Sequence, residues 1–288
     1  MRLKFYGVRG SISSPGLDTV RYGGNTSCVF VETDDGSLIV FDAGTGIRKL
    51  GDDLMARDNF SRINTANNPD VHILFSHYHW DHIQGFPFFK PAYQYHQKIH
   101  LVAAHLKEED ARSVLDQMVD PHFPVPGDQL HADVDVMSVD KQGKLYIGDA
   151  VISTIPLNHP GGGSAYRIDT PRGSMAYVTD NELEPPSTPR TTIAQWKEFL
   201  SGVDYLIHDA MYLDEEQQDH LGWGHSILSQ TLRLARDAKV ANVILFHHAP
   251  ERSDDQLDML LFQSQDWMKK QGSECIVKMA KEGDEYEI

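Results

Sequence analysis

The stretch Ile73-Leu74-Phe75-Ser76-His77-Tyr78-His79-Trp80-Asp81-His82 runs from an apolar strand straight into a crowd of metal-binding groups. Three imidazoles and a carboxylate (His77, His79, Asp81 and His82) fall within six residues. With 15 histidines in 288 residues, two close neighbours would be no surprise. The pattern His-x-His-x-Asp-His, set directly behind Ile73-Leu74-Phe75, is a stronger signal than that. Imidazole and carboxylate are ligand types that zinc accepts, so the stretch reads as part of a dinuclear metal site. Two divalent ions are expected, zinc first and manganese as the alternative.

One metal takes three or four protein ligands, so the chain must supply more at other strand ends. Three residues stand there. His159 follows the apolar run 151–157, Asp180 follows Met175-Ala176-Tyr177-Val178-Thr179, and His247 follows Val243-Ile244-Leu245-Phe246. Each taken alone has a plainer reading as a turn, cap or hydrogen-bonded surface residue; the recurrence of the pattern is what points to a site. His247 has a neighbour in His248, and His247 is favoured because it directly follows the strand. Asp42, at the end of Leu38-Ile39-Val40-Phe41, has two open readings. It is either a cap ahead of the next helix or a carboxylate that holds a metal-bound histidine.

The length fits one large α/β domain or two small ones, and no repeat, low-complexity tract or linker divides the chain, so residues 1–288 are read as one domain. Strands are expected at 2–8, 26–33, 38–41, 71–76 and 98–104, then at 134–139, 144–147, 151–155, 164–168 and 174–179. The last three fall at 203–207, 241–246 and 275–279. Asp34-Asp35-Gly36 marks a hairpin turn between two of them. Helical pattern falls at 46–57, 107–118, 191–201, 226–238 and 254–271, the last opened by Ser253 and Gln256 as a capping box. Asp81-His82 opens a helix that Gly85-Phe86-Pro87 interrupts, and 122–127 reads as a loop near a pocket mouth. The fold class is α/β (α+β), two mixed sheets face to face with helices outside.

The net charge of -16 argues against long nucleic acid as partner, because such binding is carried by Lys and Arg. It leaves room for a small anion, since bound cations reverse the local field. The two cysteines, Cys28 and Cys275, form no framework, so a reducing, cytoplasmic setting is expected. No run approaches the ~18 apolar residues of a membrane span, and no membrane partner is expected.

These motifs together resemble the metallo-β-lactamase superfamily, whose signature is His-x-His-x-Asp-His, over nearly the whole length. Within it the chain is similar to the phosphodiesterase branch of ribonuclease Z-like and cyclic-nucleotide phosphodiesterase-like enzymes. The branch residues are His208-Asp209-Ala210 followed by Gly224-His225-Ser226, with Asp209 where that branch has Glu. The resemblance implies a four-layer αββα sandwich and a homodimer. It implies one metal on His77, His79 and His159, the other on Asp81, His82 and His247, and Asp180 bridging both. The zinc β-lactamases carry a Cys near the position of Asp180, which sets antibiotic hydrolysis aside.

The activity so implied is hydrolysis of a small, nucleotide-like phosphodiester, with a metal-bridging hydroxide as nucleophile. His225 is the expected proton donor to the poor alkoxide leaving group, Asp209 orients it, and Asp81 counts among the catalytic groups as well as the ligands. The alternatives are a ribonuclease Z-like tRNA 3′-processing endoribonuclease and a thioester or lactone hydrolase of the same fold. Gly161-Gly162-Gly163 could bring backbone N–H groups to a phosphate, and Tyr212, Trp223 and the 122–127 loop could stack a base; plain turn and core-covering roles serve equally well. The remaining histidines are expected to be structural.

Overall fold

Fourteen strands make two sheets of seven in a computed structural model that describes residues 1–57, 60, 68–105, 129–140 and 142–288. In the first, the order is β14 (Glu285–Glu287), β1 (Arg2–Gly7), β2 (Cys28–Glu32), β3 (Leu38–Phe41), β4 (Val71–Leu74), β5 (Lys98–Ala103) and β6 (Asp133–Ser138). In the second it is β13 (Ile276–Met279), β12 (Asn242–Phe246), β11 (Tyr205–Asp209), β10 (Ser174–Val178), β9 (Ser164–Asp169), β8 (Ala150–Pro156) and β7 (Lys144–Ile147). Pairing runs parallel from β3 to β6 and from β10 to β13, and antiparallel elsewhere. The Asp34-Asp35-Gly36 hairpin forms as expected, with Glu32 opposite Leu38 and Gly36 at φ 88°.

The central strands read as unbroken apolar runs because both of their faces are covered. Along β3, Ile39 and Phe41 enter the seam between the sheets, while Leu38 and Val40 face outward. Along β12, Ile244 and Phe246 enter the same seam, and Val243 and Leu245 face the other way. The seam is fully buried and aromatic, with Phe41 stacked on Tyr177 at 4.8 Å between ring centroids. Outside the first sheet lies α1 (Ile47–Met55), which buries Ile47, Leu50 and Leu54. Outside the second lie α3 (Ile193–Phe199), α4 (Leu228–Asp237) and α5 (Asp254–Lys270), around Trp196, Leu232 and Leu257. This is the expected αββα layering.

The capping box at Ser253 and Gln256 forms, and a second one opens α3 at Thr192 and Gln195. The helix opened by Asp81 is one turn, α2 (Trp80–Ile83). Pro87 and Pro91 then hold the chain in 3-10 turns at Phe86–Phe88 and Lys90–Tyr93. β14 was not anticipated from sequence: three residues, Glu-Tyr-Glu, become a strand only by pairing with β1. The expected helix at 107–118 and loop at 122–127 lie outside the described residues. Among those described, no helix is long and apolar enough to cross a membrane.

Candidate functional site

Parallel strands end on a common edge, and the polar groups singled out in the sequence collect there. His77 and His79 lie in the turn after β4, Asp81 and His82 on α2, and His159 beyond β8. Asp180 follows β10, Asp209 ends β11, and His247 follows β12 at once. Asp42, Asp180 and His247 all have left-handed backbone, at φ 59°, 50° and 58°. A non-glycine residue there costs of order 1–3 kcal/mol and persists only where its surroundings hold it.

Three groups form among the described residues, each with its ligand-type atoms within 4.8 Å of one another: Asp209, His225 and His247 make one, and the two larger clusters are His77, His79, His159 and Asp180, and Asp81, His82, Asp180 and His247. Asp180 belongs to both of the larger clusters. Its Oδ1 is 3.2 Å from both His82 Nε2 and His247 Nε2, and its Oδ2 is 3.6 Å from His77 Nε2. Asp81 Oδ2 is 3.1 Å from His82 Nε2 and 3.3 Å from His247 Nε2. His79 Nδ1 is 3.0 Å from His77 Nε2 and 3.1 Å from His159 Nε2. His79 is the exposed member of the two larger clusters; the others there are buried.

The far ring nitrogens of three of these histidines are held in turn. His82 Nδ1 donates to Asp42 Oδ2 at 2.8 Å, His159 Nδ1 to the Gly224 carbonyl at 3.0 Å, and His77 Nδ1 to Ser76 Oγ at 3.0 Å. Ser76 Oγ passes its own proton to Asp42 at 2.8 Å. This network sets the tautomers and leaves each Nε2 a bare acceptor toward the cluster. Asp42 is fully buried and also accepts from Ser76 N at 2.7 Å and Tyr177 OH at 2.8 Å. Of its two open readings, the geometry supports the carboxylate that orients a histidine, because its side chain makes no cap bond to α1.

The donor set fits divalent metal ions. His82 Nε2 is buried without a hydrogen-bond partner, against carboxylate oxygens of Asp81 and Asp180. Lone pair against lone pair is repulsive unless a cation or proton lies between them. Charge in the chain alone reflects this. Burial drives His82 toward the neutral form, but Asp81, Asp180 and Asp42 outweigh it and raise its pKa well above the usual value. Burial likewise works against the Asp180 carboxylate, yet His247 and His82 hold its pKa well below the ordinary range. His159 is pushed down to about 4, mainly by burial.

Beside the clusters, His225 Nδ1 is bonded to Asp209 Oδ2 at 2.9 Å and lies 3.9 Å from Asp180 Oδ2. Asp209 Oδ1 accepts from Met211 N at 2.9 Å, which keeps the carboxylate aimed. Burial lowers the His225 pKa, but Asp209 more than compensates and raises it to about 9. The adjacent histidines separate: His247 faces the cluster, whereas His248 Nε2 donates to the Ala280 carbonyl at 2.8 Å. Two contributors escaped the sequence reading. Ser11 N–H donates to Asp81 Oδ2 at 2.9 Å, and Gly10 packs so close that a Cβ there would meet His247 Nδ1 at 2.4 Å. Only the glycine itself, between β1 and β2, hinted at this.

Of the other aromatics, Tyr212 stacks on His220 at 3.9 Å and meets His225 edge-on at 5.8 Å, while Trp223 stays exposed next to His220.

This combination of αββα layers with a histidine and aspartate edge defines a class. The model of the beta-lactamase superfamily domain matches residues 38–248, well over half of the chain, and the chain belongs to that family. Among solved structures it is similar to a diphosphatase from the PhnP family, at 18% identity over 100% of this chain and 97% of that one, TM-score 0.68. Zn(2+)-bound PqqB from Methylobacterium extorquens aligns at 14% identity over 100% of both chains, TM-score 0.68. The short form of human tRNase Z aligns at 16% identity over 100% and 99%, TM-score 0.64. At these identities the likeness is one of fold. No curated protein matches the sequence significantly.

Proposed function

We propose that the chain is a dinuclear, metal-dependent phosphodiesterase acting on a small nucleotide-like substrate, a cyclic nucleotide or dinucleotide. The observation that carries this reading is Asp180, one carboxylate common to two ligand clusters, with the His225–Asp209 pair against it. His77, His79 and His159 would hold one ion, Asp81, His82 and His247 the other, and Asp180 both. Zinc is the metal favoured by the imidazole-rich donor set, manganese the alternative. Bound there, the ions would supply a water nucleophile at neutral pH and offset charge on the phosphoryl oxygens.

The chain's own groups do the rest. Asp209 Oδ2 accepts a hydrogen bond from His225 Nδ1–H, which orients the ring so that Nε2–H can supply the proton for the leaving alkoxide. In the chain alone the Asp209 carboxylate raises the His225 pKa to about 9, which favours the protonated ring. Asp42 and Gly224 hold His82 and His159 in the tautomer that presents Nε2. A diphosphatase and a tRNase Z among the similar folds support chemistry at phosphorus. The latter also raises the tRNA-processing reading, which a net charge of -16 opposes. A cytoplasmic homodimer is part of the proposal; the two buried free thiols agree with a reducing compartment.

The test is turnover of bis(p-nitrophenyl) phosphate by metal-loaded protein, then a panel of 2′,3′- and 3′,5′-cyclic nucleotides, cyclic dinucleotides, pre-tRNA, and thioester and lactone probes. His225→Ala should lose about 10²–10⁴-fold on a substrate with an alkoxide leaving group and far less on a p-nitrophenyl ester. Equal losses on both, or full turnover on the alkoxide ester, would remove His225 from the donor role.

A further inference from the structure

Next to His159 lies a cavity of about 300 Å³, walled by Asn158, Glu182, Gly222 and the proline-rich loop 185–190. Its charges are unevenly engaged. The one carboxylate on its wall, Glu182, is occupied on both oxygens, accepting from Gly222 N at 2.9 Å and Gly224 N at 3.2 Å. Asn158 is spent on Thr191, donating to its carbonyl and accepting from its N–H. Arg190, Ser187 and Thr188, by contrast, line the cavity with no hydrogen bond or ion pair among the described residues. In so acidic a chain, a guanidinium with no carboxylate partner beside the ligand edge stands out. The guanidinium packs against the backbone at Gly162, which has φ +94° and where a Cβ would meet it at 2.3 Å.

From this we infer that Arg190, with Ser187 and Thr188, forms a subsite for a second, non-reacting phosphate of the substrate, bound on the His159 side of the scissile phosphodiester. Guanidinium and hydroxyl donors match phosphate oxygens, and no free carboxylate opposes the ligand. The inference rests on the phosphodiesterase reading and narrows it from any small phosphodiester to one that bears a terminal phosphate.

A matched pair of substrates tests it: the linear dinucleotide pApA and its counterpart ApA, which lacks the 5′-phosphate. Arg190 is exposed, so metal-loaded wild type should show a kcat/KM ratio, pApA over ApA, of about threefold to fivefold, the scale of a charge pair in contact with solvent. Arg190→Ala should bring that ratio to near one, chiefly through KM, and Arg190→Lys should retain part of it. Gly162→Ala, which displaces the guanidinium, should also reduce it. Calorimetric binding of both dinucleotides to the metal-loaded protein gives a readout independent of turnover. A binding preference for pApA that Arg190→Ala abolishes, without hydrolysis of any phosphodiester, would keep the subsite and refute the activity. Hydrolysis with no preference in wild type, or a preference that survives Arg190→Ala, would overturn the subsite and keep the activity. Absence of both would refute both.

Discussion

Replacing Asp42 by Asn tests the buried carboxylate that ties the site together. Asp42 Oδ1 accepts the Ser76 N–H at 2.7 Å, and Oδ2 accepts from Ser76 Oγ, His82 Nδ1 and Tyr177 OH, each at 2.8 Å. An amide cannot satisfy this arrangement in either orientation. With its NH2 on the Oδ1 side, two N–H groups face each other at Ser76. With its NH2 on the Oδ2 side, the hydroxyls can turn, but His82 must give up its Nδ1 proton and carry one on Nε2, where a metal would bind. One buried donor left unpaired costs about 1–3 kcal/mol. A lost partner behind a metal-binding histidine lowers affinity about 10–100-fold, or roughly 1.4–2.8 kcal/mol at about 1.4 kcal/mol per decade, so the two routes agree. Titrating metal-free protein with zinc against a chromophoric chelator measures the loss, and urea unfolding of the metal-free variant measures its structural share. Zinc affinity within twofold of wild type would refute the role given to Asp42.

Three further outcomes are expected. Gly10→Ala drives a methyl into His247, so zinc bound per chain, read by mass spectrometry, should fall, with about 1–3 kcal/mol lost from overpacking. His247→Ala should lower zinc stoichiometry, whereas His248→Ala should leave it intact and cost about 1–2 kcal/mol of stability from the lost bond to Ala280. In the metal-free protein His225 should titrate near pH 9 by NMR, against about 6.5 in the unfolded chain. A folded pKa raised in this way gives stability that is full below about pH 6.5 and lost as pH rises through about 9; Asp209→Asn should flatten that slope.

Much of the site was legible because its chemistry falls at strand ends, and strand ends are where apolar runs stop. His159, Asp180 and the choice of His247 rested on that logic, whereas His79, Asp81 and His82 were legible from the His-x-His-x-Asp-His spacing. Asp42 was undecided because a cap and an orienting carboxylate look alike until Ser76, His82 and Tyr177 converge on it. Gly10 and Ser11 were missed because a close approach and a backbone N–H leave no side-chain signature. Arg9 was unforeseen for a related reason: it is fully buried, held by the carbonyls of Gly23, Ala249 and Arg252, the last two of which reach it only once the chain has folded. β14 has no pattern of its own and exists through β1.

The two sheets contribute to the edge separately, Asp42 and the 77–82 histidines from one, His159, Asp180 and His247 from the other. The site therefore works as a gauge of how the sheets are aligned. Trimming Ile152 or Ile244 leaves a cavity in the seam, so it should disturb the alignment of ligand atoms as well as cost stability. Screens for activity should accordingly recover substitutions along the whole seam, and adaptive drift in substrate preference has a route through the core as well as through the loops.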